Sequence, residues 1–172
     1  MKKFIAIIGY SKSGKSAIIR SLTGCGGKRT GNFFRDLRVY IMENLTVNPL
    51  RRLYVIPDSF QENPKATISQ LWRFLRAVLE DRHALGVVMA IQPTDSKKRI
   101  RIEQIFSLLR RIGGFEIRSF VINPGRNNNG VIPRDMQNRL DLNIEPFSLN
   151  ARNFTYFNAR IIQQRTNILF GR

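Results

Sequence analysis

The sequence predicts an α/β protein, a three-layer α/β/α sandwich on a mostly parallel sheet with one antiparallel hairpin strand. Three observations carry this. Short apolar runs of strand length alternate with stretches whose apolar residues recur at helical spacing. The first run passes straight into a glycine-bounded turn and then a helix. The second and third runs flank a turn signal, Val47-Asn48-Pro49-Leu50, which makes that pair a hairpin. At 172 residues, one domain spanning 1–172 with a full core is expected.

Taken in order, residues 4–8 (FIAII) read as a strand buried on both faces. Residues 14–23 read as a helix with Ala17, Ile18 and Leu22 inward and Gly24 as its stop. Residues 24–35 (GCGGKRTGNFFR) are glycine-rich and are expected to form a flexible loop. Residues 37–42 and 52–56 are the hairpin strands. Asn63-Pro64 offers a cap and a first-turn proline for a helix carrying Ile68, Leu71, Trp72, Leu75 and Leu79 to about His83. Residues 86–91 (GVVMAI) form a strand. Thr94, Asp95 or Ser96 then caps a helix to about Ile112, with Ile102, Ile105, Phe106 and Leu109 inward and Gly113-Gly114 ending it. Residues 116–122 are a strand, 123–130 (NPGRNNNG) a loop, 133–140 a short helix and 144–149 a last strand. A closing helix over 154–170 places Phe157, Ile161, Ile162, Ile168 and Leu169 on its apolar face.

Charge is the strongest compositional signal. Lys plus Arg is 29 against 12 for Asp plus Glu, a net +17, and 21 of the 29 are arginine. Arginine forks onto phosphate oxygens, so a polyanion is the expected partner: RNA, DNA, an anionic membrane surface or an acidic protein. The arginines cluster at Arg51-Arg52, Arg73 with Arg76, Lys97-Lys98-Arg99 with Arg101, Arg110-Arg111, and Arg152, Arg160 and Arg165. Nearby aromatics would suit single-stranded nucleic acid, but Trp72 and Phe157 fall on apolar helical faces and are expected in the core. No apolar run approaches the ~20 residues of a membrane span. The opening MKKFIAIIG is too short for a secretion signal and leads into structure, and lone Cys25 has no internal disulfide partner, so a reducing, cytoplasmic setting is expected. His83 is the single histidine, which argues against a zinc site or a histidine-based triad.

The motif that carries chemistry is GYSKSGKS, residues 9–16. It fits G-x-x-x-x-G-K-[ST] at every fixed position, with a strand before it and a helix after it. Gly9 and Gly14 let successive amides converge on one centre, and the helix directs its positive end there. Lys15 supplies charge to phosphates and Ser16 a hydroxyl to Mg²⁺. The expected nucleotide contacts are Gly9, Lys12, Ser13, Gly14, Lys15, Ser16 and Ala17, although Lys12 also reads as a solvated side chain.

On these residues the chain resembles the P-loop nucleoside triphosphatases, and within them the small GTPases, whose element order it follows over most of its length. The resemblance implies a P-loop fold, GTP or ATP as ligand, and Mg²⁺. It implies that Asp58, at the end of the third strand, reaches the metal alongside Ser16, with Glu43 and Asp95 as rival acids. Asp58 reads otherwise as a turn residue after Pro57. Gln61 matches the glutamine that orients the attacking water, making Gln61 and Lys15 the implied catalytic pair. Thr30 matches the threonine that closes over the metal, or is a plain surface threonine. The glycine of the family's DxxG is absent. The guanine-reading N-K-x-D is reduced to Asn123-Pro124-Gly125-Arg126, which keeps Asn123 as a nucleotide contact but replaces the acceptor Asp by Arg. Ser148-Leu149-Asn150-Ala151 is a loose match to the family's loop near the base. The function expected is an Mg²⁺-dependent nucleoside triphosphatase with a basic surface. Two readings stay beside it: a non-catalytic nucleotide-binding sensor or structural protein, and an ATP-driven nucleic-acid packaging or remodelling enzyme or small phosphotransferase.

Overall fold

A computed structural model describes residues 1–23, 28–29, 39–44, 51–93 and 99–168. Its elements in chain order are β1 (Lys2–Ile8), α1 (Lys15–Thr23), β2 (Lys28–Arg29), β3 (Tyr40–Asn44), β4 (Arg51–Ile56), a 3₁₀ turn (Phe60–Glu62), α2 (Ile68–Glu80), β5 (Ala84–Ile91), α3 (Ile102–Ile112), β6 (Phe115–Ile122), α4 (Pro133–Leu140), β7 (Phe147–Leu149) and α5 (Thr155–Thr166). The strands form one sheet in the order β2-β3-β4-β5-β1-β6-β7. Only β3 opposes the others: it pairs antiparallel with β2 and β4, while β4–β5, β5–β1, β1–β6 and β6–β7 are parallel. The mostly parallel sheet and its hairpin are as the sequence predicts.

Side-chain alternation on buried strands builds a core on each face. Phe4, Ala6 and Ile8 of β1 join Leu71, Phe74, Leu75 and Val78 of α2 and Ile105, Phe106 and Leu109 of α3. Ile5 and Ile7 face the other way, toward Ile18, Ile19 and Leu22 of α1 and Ala159 and Ile162 of α5. Each fully buried Leu, Ile or Phe contributes roughly 1.5–3 kcal/mol of transfer free energy, so a strand buried on both sides is a strong anchor. No helix among the described residues is long and apolar enough to cross a membrane.

Several expectations are corrected. Lys28–Arg29 form a two-residue strand inside the expected glycine-rich loop. Asn63-Pro64 does not start α2. Asn63 shapes a turn, its Oδ1 accepting from the Lys65 amide at 3.0 Å, and Thr67 caps the helix with Gln70 in a reciprocal capping box. α3 begins at Ile102 after Arg101, later than a cap at 94–96 would place it. Trp72 is 43% exposed and Phe157 51% exposed, so neither is core. The buried stripe of α2 runs one residue to the side of Trp72, and that of α5 uses Asn158, Ala159, Ile162 and Thr166. The turn at 47–50 lies outside the described residues.

Asp81 ties the foot of the sheet together. Its carboxylate accepts from the Tyr54 hydroxyl at 2.9 Å and the His83 amide at 2.9 Å, with Arg52 3.7 Å away. Burial works to raise the acid's pKa, but the His83 and Tyr54 bonds and the Arg52 and Lys2 charges outweigh it and hold it below the ordinary 3.8. Burial and the bond to Asp81 push the Tyr54 phenol up to about 12. A depressed carboxyl stabilises the fold above its unfolded pKa and stops doing so as pH falls through the folded one. Asp81→Ala is therefore expected to cost about 2 kcal/mol at neutral pH. The gap from wild type in thermal melting should narrow as pH drops below 3.8.

Candidate functional site

The turn after β1 is shaped by close packing. The Gly9 amide donates to Ile91 O on β5 at 3.0 Å, so the loop hangs from two central strands. A Cβ on Gly9 would meet Ser13 Oγ at 2.5 Å and Ile122 at 3.3 Å, so a side chain there would force both to shift. Ser13 N donates back to Tyr10 O at 3.2 Å. Lys12 and Gly14 take φ of +58° and +107°, left-handed excursions that turn the main chain sharply between β1 and α1. The Ile18 amide bonds Gly14 O at 3.1 Å, so the amides of Lys15, Ser16 and Ala17 precede the helical ladder. They lie at the positive end of α1.

Lys15 is only 6% exposed. Its ammonium donates to Gly9 O at 2.8 Å and Tyr10 O at 2.6 Å, both within the loop itself. Burial lowers its pKa to about 8, against the opposing charge of Glu62. The Ser16 hydroxyl donates to Pro57 O at 2.9 Å. That bond matters because β5 lies between β1 and β4, two strand spacings or about 10 Å. Ser16 bridges this gap and brings the residue before Asp58 to the start of α1. In the same turn Ser59 Oγ is buried with no hydrogen-bond partner, as is Ser13 Oγ in the loop.

Gln61 is 4% exposed. Its Nε2 donates to Gln92 O at 2.7 Å and its Oε1 accepts from Gln92 N at 3.2 Å. Both ends of the carboxamide are thus closed on the end of β5. Gln92 Nε2 in turn donates to Glu62 Oε1. Gln61 fastens the 3₁₀ turn to β5, and Glu62 is the carboxylate whose charge reaches Lys15.

The loop after β6 closes the other side. Asn123 sits at the strand end, its amide bonded to Leu149 O at 2.9 Å and its carbonyl accepting from Ser148 Oγ at 3.1 Å. Its Oδ1 packs on Gly130, where a Cβ would approach to 2.1 Å. Arg126 N donates to Ser13 O at 3.3 Å and Asn127 Nδ2 to Ser11 O at 3.3 Å. The Arg126 side chain runs along Gly14, its Nε 3.4 Å from where a Cβ would be. An open cleft of about 390 Å³ adjoins this point, lined by Arg126, Ala151, Arg152, Asn153, Phe154 and Thr155.

The structure thus gathers Gly9, Ser13, Gly14, Lys15 and Ser16 in one turn, brings Pro57-Asp58 to it through Ser16, and sets the loop after Asn123 against it. Lys12 is exposed at the loop tip. Thr30, Asp95 and Cys25 lie outside the described residues, as does the side chain of Glu43. No group of three or more His, Cys, Asp or Glu among the described residues could hold a metal alone. Sequence reasoning missed Gln92, Arg126 and the electrostatic role of Glu62. The findable signal was position: Gln92 directly follows the apolar run of β5, where parallel sheets present ligand-binding groups. No protein-family model matches the chain, and no curated protein matches it.

Proposed function

We propose that this protein is a P-loop nucleoside triphosphatase that binds GTP or ATP with Mg²⁺ at residues 9–17. The observation that supports it most is Lys15, a desolvated ammonium held inside a sharp main-chain turn at a helix amino end. On binding, Lys15 exchanges the Gly9 and Tyr10 carbonyls for phosphate oxygens, while the amides before Ile18 bond the phosphate chain. The cleft beside Arg126 and Phe154 receives the nucleoside. Its lining contains no carboxylate to accept guanine N–H groups, so GTP and ATP should bind comparably.

The residues fit a divalent ion. Ser16 Oγ bonds the carbonyl of Pro57, the residue before Asp58, and Ser59 Oγ in the same turn is buried without a hydrogen-bond partner. Ser16 and Asp58 would hold the ion, with Thr30 as the third residue implied by the resemblance. Mg²⁺ when bound supplies charge neutralisation on the β- and γ-phosphates. The Gln61 carboxamide is spent on Gln92, so we assign proton acceptance from the attacking water to Glu62, whose carboxylate accepts from Gln92 Nε2.

Calorimetric titration with GTP, ATP and their diphosphates, each with and without Mg²⁺, tests binding; absence of binding by all four overturns the reading. Ser16→Ala should weaken binding about tenfold with Mg²⁺ present and hardly at all in EDTA. The closed Gln61 amide also favours a second reading, a module that binds without turnover. Phosphate release insensitive to both Glu62→Gln and Lys15→Ala would leave only that reading. An ATP-driven nucleic-acid enzyme would show faster release when DNA or RNA is added.

A further inference from the structure

The amino-terminal half of α5 exposes an aromatic surface that the core does not use. Phe154 is 79% exposed, Tyr156 42% and Phe157 51%. The three rings touch in series: Phe154 and Phe157 centroids are 6.4 Å apart, Tyr156 and Phe157 4.9 Å. Arg160 Nη1 donates to the Tyr156 hydroxyl at 3.3 Å, placing a guanidinium at the edge of the group. Residues 146–172 contain four arginines and no Asp or Glu. Contiguous exposed aromatics on a monomer are uncommon without a partner. Negative charge beside Arg160 and flat apolar faces against the rings are what a partner would need to complement this group.

We propose that this surface is a stacking platform for single-stranded nucleic acid. Bases stack on Tyr156 and Phe157, and the phosphates follow Arg160. It rests on the reading that the basic surface takes a polyanion, and does not depend on what the phosphate loop holds. Charge complementarity selects a polyanion, and the ring series selects one with unpaired bases over a duplex, whose bases are already stacked on each other. An acidic protein supplies the charge without the repeated flat faces.

The test is fluorescence anisotropy with labelled oligo-dT and oligo-U of about 20 nucleotides. Tyr156→Ala with Phe157→Ala should weaken binding about tenfold or more while leaving the salt slope unchanged. Arg160→Ala should reduce the slope of log K against log salt by about 0.7. Tyr156→Phe with Phe157→Trp should retain binding, which separates lost stacking from lost folding. Several results would overturn the proposal: equal affinity for a duplex or inorganic polyphosphate, no effect of the double alanine variant, or a wild-type dimer that this variant dissociates without changing oligonucleotide affinity. GTP and ATP titrations on Arg160→Ala should match wild type, because Arg160 does not line the cleft beside Arg126 and Phe154. If nucleotide binding fails while the oligonucleotide result holds, only the phosphate-loop reading falls.

Discussion

Lys15→Ala is expected to weaken nucleoside triphosphate binding about 100-fold, the equivalent of losing a charge-assisted bond worth roughly 2–3 kcal/mol. The ammonium is nearly inaccessible to water and its present partners are neutral carbonyls. A triphosphate offers it full counter-charge, so most of its desolvation cost is offset only in the complex. The same burial predicts a pH signature. Burial pushes the Lys15 ammonium down to about 8 in the folded chain, against an ordinary 10.5. Between these values the unfolded chain holds the proton and the native one does not, so the wild type gains stability as pH rises through that window. The gain is at most about 3 kcal/mol, and Lys15→Ala should lack it. Nucleotide affinity should move the other way, falling up to tenfold per pH unit above 8, because the free protein must first take up a proton. Melting curves of both proteins from pH 7 to about 10, with calorimetry in two buffers of different ionisation enthalpy, check each part.

Gly86→Ala should be the most damaging single-methyl change in the fold. Gly86 pairs with Lys3 between β5 and β1, the strands that support the phosphate loop. A Cβ there would fall 1.9 Å from the Lys3 carbonyl oxygen, 2.8 Å from its carbon and 2.9 Å from its nitrogen. These are backbone atoms inside a ladder, so no rotamer change makes room. The φ of +156° adds conformational cost. The expected loss exceeds about 4 kcal/mol, a fall in Tm of roughly 10 °C or more, or failure to fold. Gly113→Ala is the matched control. Its Cβ would meet nothing within 4 Å, so only its backbone conformation, φ +68° and ψ −170°, is penalised, at about 1–3 kcal/mol. Comparable losses for the two variants would mean that conformation, not contact, governs Gly86.

The parts of the molecule legible in the sequence are those fixed by local rules. Gly9, Gly14, Lys15 and Ser16 announce their turn by fixed spacing, with Gly14 at a φ of +107° that favours glycine, and the flanking strand and helix follow from apolar spacing. Helix starts were less legible. Asn63-Pro64 outweighed the capping box of Thr67 and Gln70, although both signals are present, because Asn63 also suits a turn. Helical periodicity located the buried stripes to within one residue, and that residue separates Leu71 from Trp72 and Asn158 from Phe157. Strand order was not legible at all. That β5 lies between β1 and β4 depends on long-range pairing, and with it the closure of Gln61 on Gln92. A glutamine beside a glutamate resembles a water-orienting residue until its amide is seen to be occupied.

The bond from Ser16 to Pro57 limits what that side chain can offer a ligand. A hydroxyl has one hydrogen, and here it is committed to a main-chain acceptor. What the oxygen has left to share is lone pairs alone. The position can therefore ligate a cation without letting go of β4, but it cannot donate to an anion unless the bond breaks. A metal-bearing ligand and a bare phosphate would thus leave the β4 end in different states.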